Sequence, residues 1–121
     1  MSKQWDDKKF EEWLSLREQF QDAKRSKNYD QTIKVGLSIL SFEKTAKFIG
    51  IMTPLFHRDL GNAYLKNDNT VKALEHYRTA HFEFIEYRKT QKLSKPNDWL
   101  KDIETLNKKI NKIEIIINNQ T

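Results

Sequence analysis

The residues with chemical potential in this 121-residue chain are few and scattered. There is no cysteine, so disulfides, thiol nucleophiles and thiolate metal sites are excluded together. The three histidines are His57, His76 and His81. His76 and His81 are five residues apart, a spacing that does not stack two side chains on one helix face. No histidine pair has the spacing of a helical zinc motif. These histidines are therefore read as surface or partly buried residues, and no metal site or cofactor is expected. Ser38, Ser41 and Ser94 lack the strand-to-helix setting of a nucleophile elbow. Glu83 and Glu86 have Arg78, Arg88 and Lys89 within helical reach, so ion pairing accounts for them better than a catalytic dyad. No phosphate loop or dinucleotide fingerprint occurs. The expectation is a protein without enzymatic activity.

Charge is the next candidate for function. Lys and Arg number 22 against 17 Asp and Glu, a formal net charge of +5. The excess is modest and the signs are mixed, so no segment is a basic tail. Arg88, Lys89, Lys92 and Lys95 form one basic group. Cations at a helix C-terminus complement its dipole, and that explains the group simply. Its rival explanation is phosphate contact with nucleic acid, joined by Lys24, Arg25 and Lys27. No recognised nucleic-acid-binding motif accompanies it.

These residues are positioned by helices. Three Gly and two Pro leave little material for the turns of an all-β domain. The pattern predicts a single domain over residues 1–121 with five helices. The first runs from about Asp6 to Lys27, with Phe10, Trp13, Leu14, Phe20 and Ala23 as its apolar side. The second covers about Tyr29 to Gly50. Its Val35, Ile39, Phe42, Ala46 and Ile49 recur at the helical period. A second row, Ile33, Leu37 and Leu40, predicts cover on two sides. Thr53 and Pro54 start the third helix, which runs to Lys66. The fourth covers Thr70 to Lys92, with Ala73, Tyr77, Ala80, Phe84 and Tyr87 in register. The fifth is capped by Asn97 or Asp98 and carries Trp99, Ile103, Leu106, Ile110, Ile113 and Ile117. Breaks are expected at Ser26–Asn28, Ile51–Thr53, Asn67–Asn69 and Ser94–Asn97. Residues 1–7 carry no apolar leader, and no run is long enough to span a membrane, so a cytoplasmic protein is expected.

The run Leu60, Gly61, Asn62, Ala63, Tyr64, followed by Ala73, Leu74, Tyr77 and then Ala80, resembles a tetratricopeptide repeat. In that pattern small residues let two helices approach and aromatics fill the space between them. His57 stands where a large apolar residue is usual, and Ile85 where Pro would end the second helix. Residues 28–30 echo residues 69–71 after 41 residues, with Leu16, Phe20 and Ala23 as a degenerate first copy. The fifth helix, with Trp99, resembles the opening of a third unit. The resemblance implies an all-α fold: a short right-handed solenoid of about five antiparallel helices. A plain helical bundle needs the same stripes but not the Gly or the echo.

The resemblance also implies a function. The first helix of each repeat lines a concave groove, and the positions that touch ligand correspond to Arg58, Asn62 and Lys66. In the degenerate unit they correspond to Arg17, Gln21 and Arg25, with Lys24 adjacent, and the closing helix adds Lys101 and Lys108. Arg58 and Asn62 are similar to part of a carboxylate clamp, in which charge-assisted donors hold a peptide's terminal carboxylate. The expected protein is an adaptor or regulator that binds another protein, through an acidic or C-terminal peptide. The alternative is a basic helical accessory protein that binds nucleic acid. Asp59 beside Arg58 and Glu18 beside Arg17 weaken the local field. Ile115 and Ile116 point away from the stripe of the fifth helix, which leaves a homodimer open as the alternative to a monomer.

Overall fold

The computed structural model describes residues 7–43, 53–90 and 92–119. Trp5, which the sequence offers as a staple of the first helix or an exposed interface residue, lies outside them, as do Ala46, Ile49 and residues 51 and 52 of one expected break. Five helices are present: α1 (Asp7–Arg25), α2 (Tyr29–Glu43), α3 (Thr53–Lys66), α4 (Thr70–Thr90) and α5 (Leu100–Asn119). No strand occurs among the described residues. None of these helices is long and apolar enough to cross a membrane. The chain divides into two compact units, Met1–Thr53 and Pro54–Thr121.

In the first unit α1 packs on α2. Trp13, Phe20 and Ala23 of α1 and Val35 and Ile39 of α2 are buried. Leu14 is exposed, because it lies ~100° round the helix from Trp13. The second apolar row of α2 is covered only in part: Ile33 and Leu40 are half-buried and Leu37 is exposed.

The helix ends repeat one design. After α1, Asn28 N–H donates to the carbonyl of Ala23 and Lys27 N–H to that of Lys24. Lys27 takes the left-handed conformation (φ 57°) that such a C-terminal turn requires. After α3, Asn69 N–H donates to Tyr64 and Asp68 N–H to Leu65, with Asp68 at φ 60°. The side-chain oxygens of Asn28 and Asn69 then cap the next helix, accepting from Gln31 N–H at 3.2 Å and Lys72 N–H at 3.1 Å. The 41-residue echo in sequence is thus an echo in hydrogen bonding.

The core of the second unit is built by Ala73, Leu74, Tyr77, Ala80 and Phe84 of α4 with Leu106, Ile110 and Ile113 of α5. Leu55, Tyr64 and Leu65 of α3 pack against it. Burying each of the large side chains contributes roughly 1.5–3 kcal/mol. Gly61 and Tyr77 define the seam between α3 and α4. A Cβ on Gly61 would stand 2.6 Å from Cδ1 and Cε1 of Tyr77.

The start of α5 differs from the sequence expectation. Trp99 precedes the helix at φ 70° instead of opening it, and its carbonyl accepts the first helical bond, from Ile103 N–H. A bulky residue in that region is strained. Ring contacts compensate: Trp99 stacks on Phe84 at 5.3 Å and meets Tyr87 edge-on at 6.4 Å. The guanidinium of Arg88 ties down the preceding loop, donating to the carbonyls of Pro96 (3.1 Å) and Asp98 (2.6 Å).

Candidate functional site

Spacing of four on α3 places Arg58, Asn62 and Lys66 on one side of that helix. Two of the three join a polar cluster with residues from α4 and α5. The side-chain oxygen of Asn62 accepts from the hydroxyl of Tyr77 at 2.5 Å and from Nζ of Lys109 at 3.1 Å. An ammonium group only donates, so the amide atom facing Lys109 is the oxygen. This fixes the amide's orientation. Its NH2 group donates to nothing among the described residues. A neutral or anionic acceptor brought to Asn62 therefore meets a donor already aligned.

Arg58 is less available. Its Nε and Nη2 both lie 3.3 Å from Oδ1 of Asp59, and Nη1 is 3.6 Å from Oδ1 of Asp102. Two cations, Arg58 and Lys109, thus share the cluster with two carboxylates, Asp59 and Asp102. The cluster is therefore close to neutral: Asp59, expected from its place beside Arg58 to weaken the local field, is joined by Asp102. Lys66 and Lys101 remain exposed on α3 and α5. Burial lowers the pKa of Lys109, and the charge of Arg58 lowers it further, while Asp59 opposes them. The Tyr77 hydroxyl is pushed up to about 12, first by burial and then by the charge of Asp59. It remains a donor through the physiological range. Lys109 also sits over the Tyr77 ring, 5.4 Å from its centroid, a cation–π contact.

In the first unit, the guanidinium of Arg17 lies 5.1 Å over the ring of Trp13, and Nζ of Lys24 lies 5.5 Å over that of Phe20. Gln21 is exposed, and Arg25 pairs with Asp22. The second basic group is not a bare phosphate surface either. Arg88 is committed to the loop carbonyls, and Lys89 stands 3.9 Å from Glu86. Lys92 and Lys95 are exposed. A separate cleft of about 350 Å³ is lined by Leu74, Arg78, Glu114, Ile117 and Asn118, with an Arg78–Glu114 ion pair at its edge.

Lys109 and Asp102 were not singled out from the sequence. Lys109 sits beside the buried Ile110, and its link to Asn62 spans 47 residues. Only the packing of α5 reveals it. His57 and His76 meet across the α3–α4 seam, a contact over 19 residues that helical spacing does not show.

No family model, curated protein or solved structure matches the chain.

Proposed function

We propose that the protein is a small interaction module of tetratricopeptide type, without catalytic activity, acting in the cytoplasm. Its second unit offers Asn62 and Lys109 to the carboxylate of an acidic or C-terminal peptide. The observation that carries this reading is the Asn62 amide, held by Tyr77 and Lys109 with its NH2 uncommitted. Donors fixed before binding lose little entropy on binding. Lys66 and Lys101, both exposed, add long-range attraction. Arg58 takes part by exchanging Asp102, its more distant partner at 3.6 Å, for the peptide carboxylate. The solenoid arrangement belongs to the same proposal. It is supported by the matching turns at Asn28 and Asn69, and by Gly61 against Tyr77. Contacts from α3 to α5 that ascend together, Arg58 to Asp102 and Asn62 to Lys109, support it further.

Replacing Asn62 by Asp gives the sharpest test. The new carboxylate still accepts from Tyr77 and Lys109, so the fold keeps its bonds, but the donor becomes a repelling oxygen. A charge-assisted hydrogen bond is worth about 1.5–3 kcal/mol, so Asn62→Asp should weaken an acidic peptide with a free carboxylate by roughly ten- to a hundred-fold. Amidating the peptide's C-terminus should have a similar effect on the parent protein. Calorimetric titrations in which Asn62→Asp and parent bind the free-acid peptide equally would overturn the proposal. The nucleic-acid reading has less support, since one of its four cations, Arg88, is committed to loop carbonyls and a second, Lys89, has Glu86 beside it. A single-stranded RNA and a duplex DNA titrated over a range of salt should show no more than weak, sequence-independent binding.

A further inference from the structure

Asp59 and Asp102 hold the same guanidinium in different ways. Oδ1 of Asp59 stands 3.3 Å from both Nε and Nη2 of Arg58, and the Asp59 side chain is only 13% exposed. Oδ1 of Asp102 stands 3.6 Å from Nη1, beyond a good hydrogen bond, and the Asp102 side chain is 34% exposed. Asp102 has no closer ion-pair partner among the described residues. Its place in the first turn of α5 favours the charged form, through the positive end of the helix dipole. Asp102 is thus an ionised, accessible carboxylate, and its nearest cation is one that a bound carboxylate would draw away.

A carboxylate docked on Asn62 and Lys109 changes the balance of charge. Arg58 and Lys109 would then face three carboxylates, those of Asp59, Asp102 and the ligand. Lys66 and Lys101 do not restore the balance locally. Both are exposed, and Lys101 lies ~100° round the helix from Asp102. We infer that Asp102 is a cation subsite, and that the preferred partner is a peptide whose C-terminal carboxylate follows a Lys or Arg one or two residues before the last. The inference rests on the carboxylate reading of Asn62 and narrows it, favouring a C-terminus with a basic neighbour over a run of acidic side chains. Spacing sets the position of the basic residue. Asp102 and Lys109 lie seven residues apart on α5, a rise of about 10 Å. An extended peptide advances about 3.4 Å per residue, so one or two residues and a long basic side chain together span that distance. The ligand's cation then takes the place of Arg58 beside Asp102, and Arg58 turns Nη1 to the ligand's carboxylate. Every charge in the cluster keeps a partner. A bound acidic neighbour would instead stand against Asp102, a like-charge contact that selects against it.

Acetylated octapeptides of Gly, Ser and Ala with a free C-terminus, carrying Lys, Gln or Glu at the third residue from the end, test this. Each is titrated into the isotope-labelled full chain, and the side-chain NH2 signals of Asn62 are followed by NMR. The salt is held at about 0.15 M, where charges more than about 8 Å apart are largely screened and the distant lysines contribute little. In the parent protein the Lys peptide should bind roughly three- to ten-fold tighter than the Glu peptide, with Gln between them. That range lies between an exposed ion pair and a charge-assisted hydrogen bond. Asp102→Asn should bring the Lys-to-Glu ratio close to one and strengthen the Gln and Glu peptides, because Arg58 is released. A purely structural role for Asp102 would weaken all three peptides alike. The series in the parent does not depend on how the variant folds. If no free-acid peptide moves the Asn62 signals, the carboxylate reading falls and the cation subsite falls with it. If the peptides do move them but Glu binds as tightly as Lys, or the Lys preference persists in Asp102→Asn, the cation subsite alone is overturned.

Discussion

Gly61→Ala is a one-carbon change whose sign depends on the α3–α4 seam. On an unobstructed helix face the change stabilises by about 1 kcal/mol, because Ala has the better helix propensity. Here the added Cβ would lie 2.6 Å from two carbons of the Tyr77 ring and 3.1 Å from a third. Carbon pairs rest at about 3.5–4.0 Å, so the ring or the helix must give by about 1 Å. Tyr77 has little freedom to do so. It is fully buried, its hydroxyl is bonded to Asn62, and Lys109 lies over its face. Overpacking of this kind costs roughly 1–3 kcal/mol, so the net expectation is a loss of about 0–2 kcal/mol after the propensity gain. Urea unfolding followed by circular dichroism measures it. Gly61→Leu should lose more. Pairing Gly61→Ala with Tyr77→Leu should recover part of the loss, a coupling of about 0.5–3 kcal/mol in a double-mutant cycle. A Gly61→Ala protein more stable than the parent would refute the argument, because the seam would then have room that the geometry denies it.

Acid should weaken the same seam. His57 has its folded pKa lowered from 6.5 to about 4, and that of His76 is also lowered. The unfolded chain therefore binds more protons in that window, so the contribution is complete above pH 6.5 and is lost as pH falls toward 4. Allowing for solvent screening of a partly exposed ring, the loss should be about 1–2 kcal/mol, and His57→Gln should flatten the profile. Arg88→Ala removes two bonds to loop carbonyls and should cost about 1–2 kcal/mol, with faster proteolysis between Lys92 and Trp99. Ile115 is 61% and Ile116 39% exposed, so light scattering should show a dimer that Ile115→Glu with Ile116→Lys converts to a folded monomer. A parent chain that stays monomeric at high micromolar concentration would reject self-association through this end.

The helices were legible because their signals are local. Pro54 at the start of α3, Asn28 and Asn69 as caps, and the four-three spacing of Ala73, Tyr77, Ala80 and Phe84 each act within a turn or two. The register of α5 was legible in its interior, where Leu106, Ile110 and Ile113 are buried, but not at its start. There a capping pattern at Asn97 and Asp98 competed with the packing of the Trp99 ring on Phe84, and packing won. The candidate site was legible only on α3. Asn62 and Arg58 lie four apart on one helix, but what each does depends on partners 15, 44 and 47 residues away in sequence: Tyr77, Asp102 and Lys109. No periodicity encodes such pairings. The sequence shows Asp59 beside Arg58, but the second carboxylate on that guanidinium, Asp102, reaches it only in three dimensions.

The packing of the fold and the geometry of the proposed site meet at Tyr77. Its ring fills the space that Gly61 leaves open, and its hydroxyl fixes the amide of Asn62. A group that holds the fold together therefore also sets the geometry of the proposed carboxylate donor. Tyr77→Phe separates the two roles. The ring stays and the core keeps its packing, but Asn62 loses one of two bonds that orient it, and only Lys109 remains. Losing a neutral hydrogen bond costs about 0.5–1.5 kcal/mol of stability. If the amide's orientation matters to binding, peptide affinity should fall by a comparable factor although Tyr77 is fully buried and touches no ligand. A Tyr77→Phe protein of lower stability and undiminished peptide affinity would show that Asn62 needs no such support, and that Lys109 alone prepares the donor.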